Sequence, residues 1–170
     1  GASAVTNVST TNANLRQLHI FDGQLYAGSG ASTTFRLGQV GVGLPTASGT
    51  VTTNLPGLPV TNAYNSFFFA DLDGLPGVDT VYIADETGNA VAKFCLVSGT
   101  WVAKGTAPLN AAHGLTGLVA GTTVTLFATS GSSTANIATL SKLVDSTGYN
   151  NTIPASATNI ATTAANTNFR

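Results

Sequence analysis

Tight-turn pairs punctuate this chain so closely that a helix of ordinary length has nowhere to form. Asp22-Gly23, Ser98-Gly99 and Gly121-Thr122 each separate two short runs rich in β-branched, aromatic and small apolar residues. Glycine accepts positive φ, which a two-residue hairpin turn requires, so each pair predicts antiparallel strands on either side. The expected strands are Gln17–Phe21 with Gln24–Ser29, Thr80–Asp85 with Ala90–Val97 and Thr100–Lys104, and Leu115–Ala120 with Thr123–Thr129 and then Asn136–Val144. Apolar residues recur at i, i+3 and i+4 over no long window, and Gly, Thr, Asn and Pro interrupt every candidate helix. The chain reads as all-β.

The strands come in sets. An apolar strand at Leu18–Phe21, Phe67–Ala70 and Leu115–Val119 leads each time to an aliphatic–aromatic pair, Leu25-Tyr26, Val81-Tyr82 and Leu126-Phe127. A third strand follows at Phe35–Val40, Val91–Val97 and Ile137–Val144, and a more polar fourth near Thr50–Thr53, Trp101–Lys104 and Asn159–Thr163. Four-stranded units of about 45–55 residues match the size of β-propeller blades. The expected blades are 12–60, 61–110 and 111–165, with residues 1–11 an outer strand belonging to a neighbouring blade. A sharper repeat joins the two ends. Thr6-Asn7-Val8-Ser9-Thr10-Thr11 recurs as Thr158-Asn159-Ile160-Ala161-Thr162-Thr163, and Asn12-Ala13-Asn14-Leu15-Arg16 as Asn166-Thr167-Asn168-Phe169-Arg170. Three blades leave apolar flanks on both sides, so the ring is expected to be completed by a second copy or by the remaining part of the same protein. A β-sandwich of about ten to twelve strands is the alternative, and it does not account for sets of four.

Composition narrows the partners. Charged residues make up 8% of the 170, hydrophobic ones 43%, and the net charge is −1. That apolar content argues against disorder, and the missing positive charge argues against nucleic acid. No apolar run approaches the roughly 18 residues of a membrane helix, so no membrane span is expected. The single cysteine, Cys95, precludes an internal disulfide framework and sits in an apolar run as a packing residue. No Cys/His cluster has zinc-ligand spacing. Methionine is absent, so Gly1 is not a translation start and the chain is expected to be trimmed from a longer one; Arg170 is what a trypsin-like cut would leave. Low charge and abundant Thr, Ser and Asn point to an extracellular or cell-surface location.

The strings Leu15-Arg16-Gln17-Leu18-His19-Ile20-Phe21-Asp22-Gly23-Gln24-Leu25-Tyr26, Phe67–Asp85, Gly114–Thr129 and Ala164-Ala165-Asn166-Thr167-Asn168-Phe169-Arg170 resemble a family of secreted β-propeller repeat proteins. The resemblance spans most of the chain and implies a six-bladed architecture, half of it here, rather than a reaction.

Two clusters could carry chemistry. Five of the seven acidic residues lie within Asp71–Glu86. The stretch Phe69–Val81 resembles the calcium loop of integrin-type FG-GAP repeats, in which oxygens at positions one, three, five and nine ligate the ion. Asp71, Asp73 and Asp79 fill positions one, three and nine, while Leu75 stands at position five. Calcium takes six to eight oxygens, so the loop is either a calcium site or a turn whose carboxylates cap backbone N–H groups. The second cluster follows from repeat phase. Arg16, Asn65, His113 and Arg170 each precede or open a blade's first strand, which in a propeller lines the central channel. They would meet at one mouth of that channel, either to donate to a glycan or anionic ligand or to bond neighbouring blades together.

Other signals favour structure over chemistry. There is no Gly-x-Ser-x-Gly elbow, and His19 lies within an apolar strand. Asp85 and Glu86 are adjacent on a strand end, which sends their side chains to opposite sides rather than across a cleft. Trp101 and Phe67-Phe68-Phe69 read as packing between blades. The expectation is therefore an extracellular binding or structural module. A propeller hydrolase or lyase acting on polysaccharide or ester, with His113 as general base, is the alternative, and a purely structural repeat module is the second.

Overall fold

The computed structural model describes residues 5–9, 12, 14–132, 137–154 and 156–167. Arg170 lies outside them. Among the described residues there are twelve β-strands and no helix. They are β1 (Leu15–Phe21), β2 (Gln24–Ser29), β3 (Leu37–Val40), β4 (Thr52–Asn54), β5 (Tyr64–Ala70), β6 (Thr80–Asp85), β7 (Ala90–Val97), β8 (Thr100–Pro108), β9 (Ala112–Ala120), β10 (Thr123–Ser132), β11 (Ile137–Asp145) and β12 (Thr158–Thr162). They form three four-stranded antiparallel sheets, each a simple meander of consecutive strands.

The turn pairs do what their chemistry requires. Asp22 and Gly23 both have positive φ, 46° and 71°, as do Ser98 and Gly99 at 49° and 80°. Two consecutive left-handed residues give the turn whose twist matches that of a hairpin. The bounds of β2, β6 and β7 coincide with the expected ones, whereas β1, β5 and β9 start earlier than their apolar runs. Each of these three first strands opens with a β-bulge: register shifts between Leu15 and Gln17, between Tyr64 and Ser66, and between Ala112 and Leu115 opposite Ser130 and Ala128. A bulge breaks period-2 alternation, so periodicity alone places the strand start too late.

The second sheet is covered on both faces. Along β6, Val81 and Ile83 pack with Tyr26 and Leu37 of the first sheet, while Tyr82 and Ala84 pack with Val124 and Leu126 of the third. All six residues of β6 are therefore buried, which explains an unbroken apolar run where a one-sided sheet would alternate. An aromatic cluster fills the first junction: Phe69 meets Tyr26, Phe21, Phe67 and Trp101 at ring-centroid distances of 4.5, 5.2, 5.7 and 5.6 Å. Trp101 is thus interior, as is Cys95.

Polar links tie the first strands together. The Gln17 side-chain oxygen accepts from the Phe67 N–H (2.5 Å) and the Ser66 hydroxyl (2.8 Å), and Ser66 Oγ accepts from the Leu115 N–H (3.0 Å). The bulges leave backbone donors without ladder partners, and side chains of the neighbouring sheet supply acceptors. At the second junction Lys93 of β7 is fully buried. Its Nζ lies 2.7 Å from Asp145 Oδ2 and also donates to the Gly148 carbonyl (2.8 Å). The loop after β11 is fastened across β7 and β8, with the Tyr149 hydroxyl donating to the Leu96 carbonyl (2.5 Å) and the Ile153 N–H to the Lys104 carbonyl (2.9 Å).

Residues 5–9 carry no strand. The Val8 carbonyl accepts from the Thr50 N–H (2.8 Å), beside β4. No helix among the described residues is long and apolar enough to cross a membrane.

Candidate functional site

The three bulges decide where the candidate side chains go. Arg16, Asn65 and His113 each sit inside the bulge that opens β1, β5 or β9, so repeat phase placed them at corresponding points of the three sheets. A bulge turns its extra residue out of the ladder and frees that side chain to aim sideways. Asn65 and His113 meet: Asn65 Nδ2 is 3.0 Å from His113 Nδ1. The same amide nitrogen is 2.9 Å from Glu86 Oε2 and 3.4 Å from the Ala112 carbonyl. With a carboxylate and a backbone carbonyl beside it, that position is the NH2 end of the amide, because an oxygen there would face two other acceptors. An amide NH2 can only donate, so in this contact His113 Nδ1 is the acceptor. Nε2 lies 3.9 Å from Glu86 Oε1. Asn65 itself is buried and its Oδ1 has no hydrogen-bond partner among the described residues. His113 and Glu86 are both partly open to solvent.

Arg16 does not join them. It is exposed, and its guanidinium lies over Gly30, where an added Cβ would come within 2.7 Å of Nε. No hydrogen bond among the described residues links it to Asn65 or His113. Glu86 is the member that sequence reasoning missed as a partner of His113. It begins the β6–β7 turn, and the one available signal was an acid following the second sheet's strand end. Its neighbour Asp85 points the other way, accepting from the Gly88 N–H (2.8 Å) and from the Asn62 side-chain amide.

The acidic loop joins β5 to β6. Asp71, Asp73 and Asp79 each offer a carboxylate oxygen, all within 4.8 Å of one another. Asp79 is buried and heavily engaged: its Oδ2 accepts from the N–H groups of Leu72 (2.8 Å) and Asp73 (2.6 Å), and its Oδ1 from the Thr80 hydroxyl (2.6 Å). Asp73 Oδ1 caps the Leu75 N–H at 2.8 Å, so the residue at position five contributes a backbone donor to the loop. Asp71 is exposed. Burial raises the Asp79 pKa above the ordinary carboxylate range, against the lowering pull of Thr80, Leu72 and Asp73, and the nearby Asp73 charge raises it further. Asp73 and Asp79 therefore serve as turn caps, and their oxygens and that of Asp71 stand close enough to share a cation.

Elsewhere, His19 is exposed, stacks on Phe21 at 4.3 Å and bonds the Ile20 carbonyl through Nδ1 (3.0 Å). Neither a family model, nor a curated protein, nor a solved structure matches this chain.

Proposed function

We propose that this chain is a β-propeller segment of an extracellular or cell-surface protein that binds a glycan at the mouth formed by its first-strand bulges. The observation that carries the reading is the meeting of Asn65 and His113, at corresponding bulges of adjacent sheets, with Glu86 of the β6–β7 turn. A carboxylate, an amide and an imidazole together accept from and donate to hydroxyl groups, while the Glu86 charge disfavours an anion. Polyhydroxyl ligands therefore fit this set better than anionic ones, and Arg16 belongs to the rim rather than the centre. The binding reading needs only the donors and acceptors already in place, whereas a covalent hydrolase would need a hydroxyl or thiol held by His113, and none among the described residues hydrogen-bonds it.

The test is a glycan array followed by titration of any hit. Glu86→Gln combined with His113→Ala is expected to weaken binding roughly tenfold or more, the scale of losing hydrogen bonds to a charged group. Unchanged affinity would reject this mouth as the site.

A second reading concerns calcium as a cofactor of the Asp71–Asp73–Asp79 loop, supported by the closeness of the three carboxylates. Calcium addition is expected to raise the melting temperature and a chelator to reverse it, with Asp79→Asn insensitive to both. Equal melting curves with calcium and with chelator would leave these acids as caps only. In metal-free buffer the raised Asp79 pKa has its own signature. A carboxyl whose folded pKa exceeds its unfolded value contributes stability below the unfolded value, and that contribution is lost as pH rises through the folded one. Asp79→Asn should therefore flatten the stability profile on the alkaline side of the ordinary carboxylate range in a urea series across pH.

A further inference from the structure

We infer that two copies of this chain close on each other, the free face of the third sheet in each copy packing on the free face of the first sheet in the other. This rests on the propeller-type stacking proposed above and goes beyond it by naming the occupant of both open flanks.

Register within the sheets shows what each flank lacks. Counted from the β1–β2 and β5–β6 ends of the ladders, Leu18 and Ile20 hold the same places as Phe67 and Phe69. The two phenylalanines are 1% and 2% exposed, buried against the first sheet, whereas Leu18 and Ile20 are 56% and 52% exposed. One position of the repeat is buried where a sheet precedes it and bare where none among the described residues does. With Leu25, the bare pair lines a groove on the outer face of the first sheet. On the opposite flank, Leu118 of β9 holds the place of Phe68 in β5. Phe68 packs into the second junction, while Leu118 is 68% exposed and Val144, on the other side of Thr125, is also bare. Isolated exposed leucines need no explanation, but apolar residues at the same register as buried ones, on two opposite flanks, mark unfilled junctions.

The repeat of the ends identifies what fits. Thr6-Asn7-Val8-Ser9, just ahead of the first sheet, duplicates Thr158-Asn159-Ile160-Ala161 of β12, the strand that closes the third sheet by pairing with β11. The sheet that belongs in front of a first sheet is thus one ending in this sequence, and the third sheet of a second copy is such a sheet. The contact joins unlike faces, so it must either close a ring or run on as a filament. Propeller rings hold about four to eight blades, and with three sheets among the described residues of each chain two copies fall inside that range while three do not.

The experiment is the solution mass by light scattering over a wide range of concentration, for the wild type and two variants. The wild type is expected at twice 17.1 kDa. Leu18→Arg with Ile20→Arg spoils the first-sheet face, and Leu118→Arg spoils the third-sheet face. Each is expected to weaken pairing by roughly thirtyfold or more. Their side chains are exposed in the single chain, so far-UV circular dichroism should match the wild type. Mixing the two variants leaves one junction with both faces intact, so a heterodimer should reappear. A wild type that stays at the single-chain mass would overturn the inference, and if it still binds glycan the mouth survives alone. Variants that remain dimeric, or a wild-type mass that grows without limit, would also overturn it.

Discussion

Replacing Lys93 with Met should destabilise this protein by about 3–5 kcal/mol, more than any substitution on the surface. The reason is what the change leaves behind. Lys93 and Asp145 are both 0% exposed in their side chains, and they pair across the second and third sheets at 2.7 Å. The same Asp145 oxygen accepts from the Tyr82 hydroxyl (2.7 Å), and Oδ1 accepts from the Thr147 N–H (2.9 Å) and hydroxyl (2.6 Å). Removing the ammonium strands a carboxylate in an apolar junction, which typically costs this much. Replacing both ions with apolar residues of similar volume, Lys93→Met with Asp145→Leu, should recover most of the loss, because the pair's attraction largely offsets its desolvation. Urea unfolding of the single and double variants reads this directly; a single variant within 1 kcal/mol of wild type would contradict it.

Acid sensitivity follows from the same network. Burial alone would raise the Asp145 pKa, but bonds from Lys93, Thr147 and Tyr82 outweigh it and hold it below the ordinary value. A carboxyl depressed in the folded state contributes stability above its unfolded pKa, and that contribution is lost as pH falls through the folded one. Lys93→Met removes the largest of those lowering bonds, so its destabilisation should be greatest at neutral pH and shrink as pH falls and Asp145 takes up a proton. Tyr82 is pushed well above the usual phenol range by burial first and by its Asp145 partner second, so it stays a neutral donor throughout.

The second large effect is at the other junction. Phe69→Ala should cost about 3–5 kcal/mol, the range for an aromatic ring deleted from a core that cannot collapse around the gap. Phe69 touches rings from both sheets, Tyr26 and Phe21 on one side and Trp101 and Phe67 on its own. Those side chains hang from β1, β2, β5 and β8, which the Gln17–Ser66 and Gln17–Phe67 bonds hold at a set spacing. A cavity there should also loosen the junction, visible as lost near-UV aromatic dichroism at temperatures where far-UV dichroism is kept. A loss below about 1 kcal/mol would mean the two sheets can close over the missing ring.

The candidate mouth shows how far repeat logic reaches. Arg16, Asn65 and His113 could be set at one phase because each lies just ahead of an apolar strand, and all three fall in bulges. Which of them touch was not legible. Asn65 and His113 are 48 residues apart in sequence, and their contact depends on how closely β5 and β9 approach. Arg16 shares the phase yet turns back over Gly30, since phase says where a Cα sits and not where a long side chain lies down. Lys93 was hidden for a related reason. In a strand buried on both faces a lysine breaks no alternation, and its partner Asp145 stands 52 residues away at the end of β11.

Local chemistry alone was enough to show which runs are strands, where the hairpin turns fall and that strands group in fours, though not where the bulged first strands begin, because positive φ at Asp22-Gly23 and Ser98-Gly99 and short apolar runs act over a few residues. Tertiary structure alone decided which faces are covered, where the ion pair sits and which side chains converge at the bulges. Those outcomes depend on distances between sheets, and nothing within a single strand encodes how near its neighbour will come.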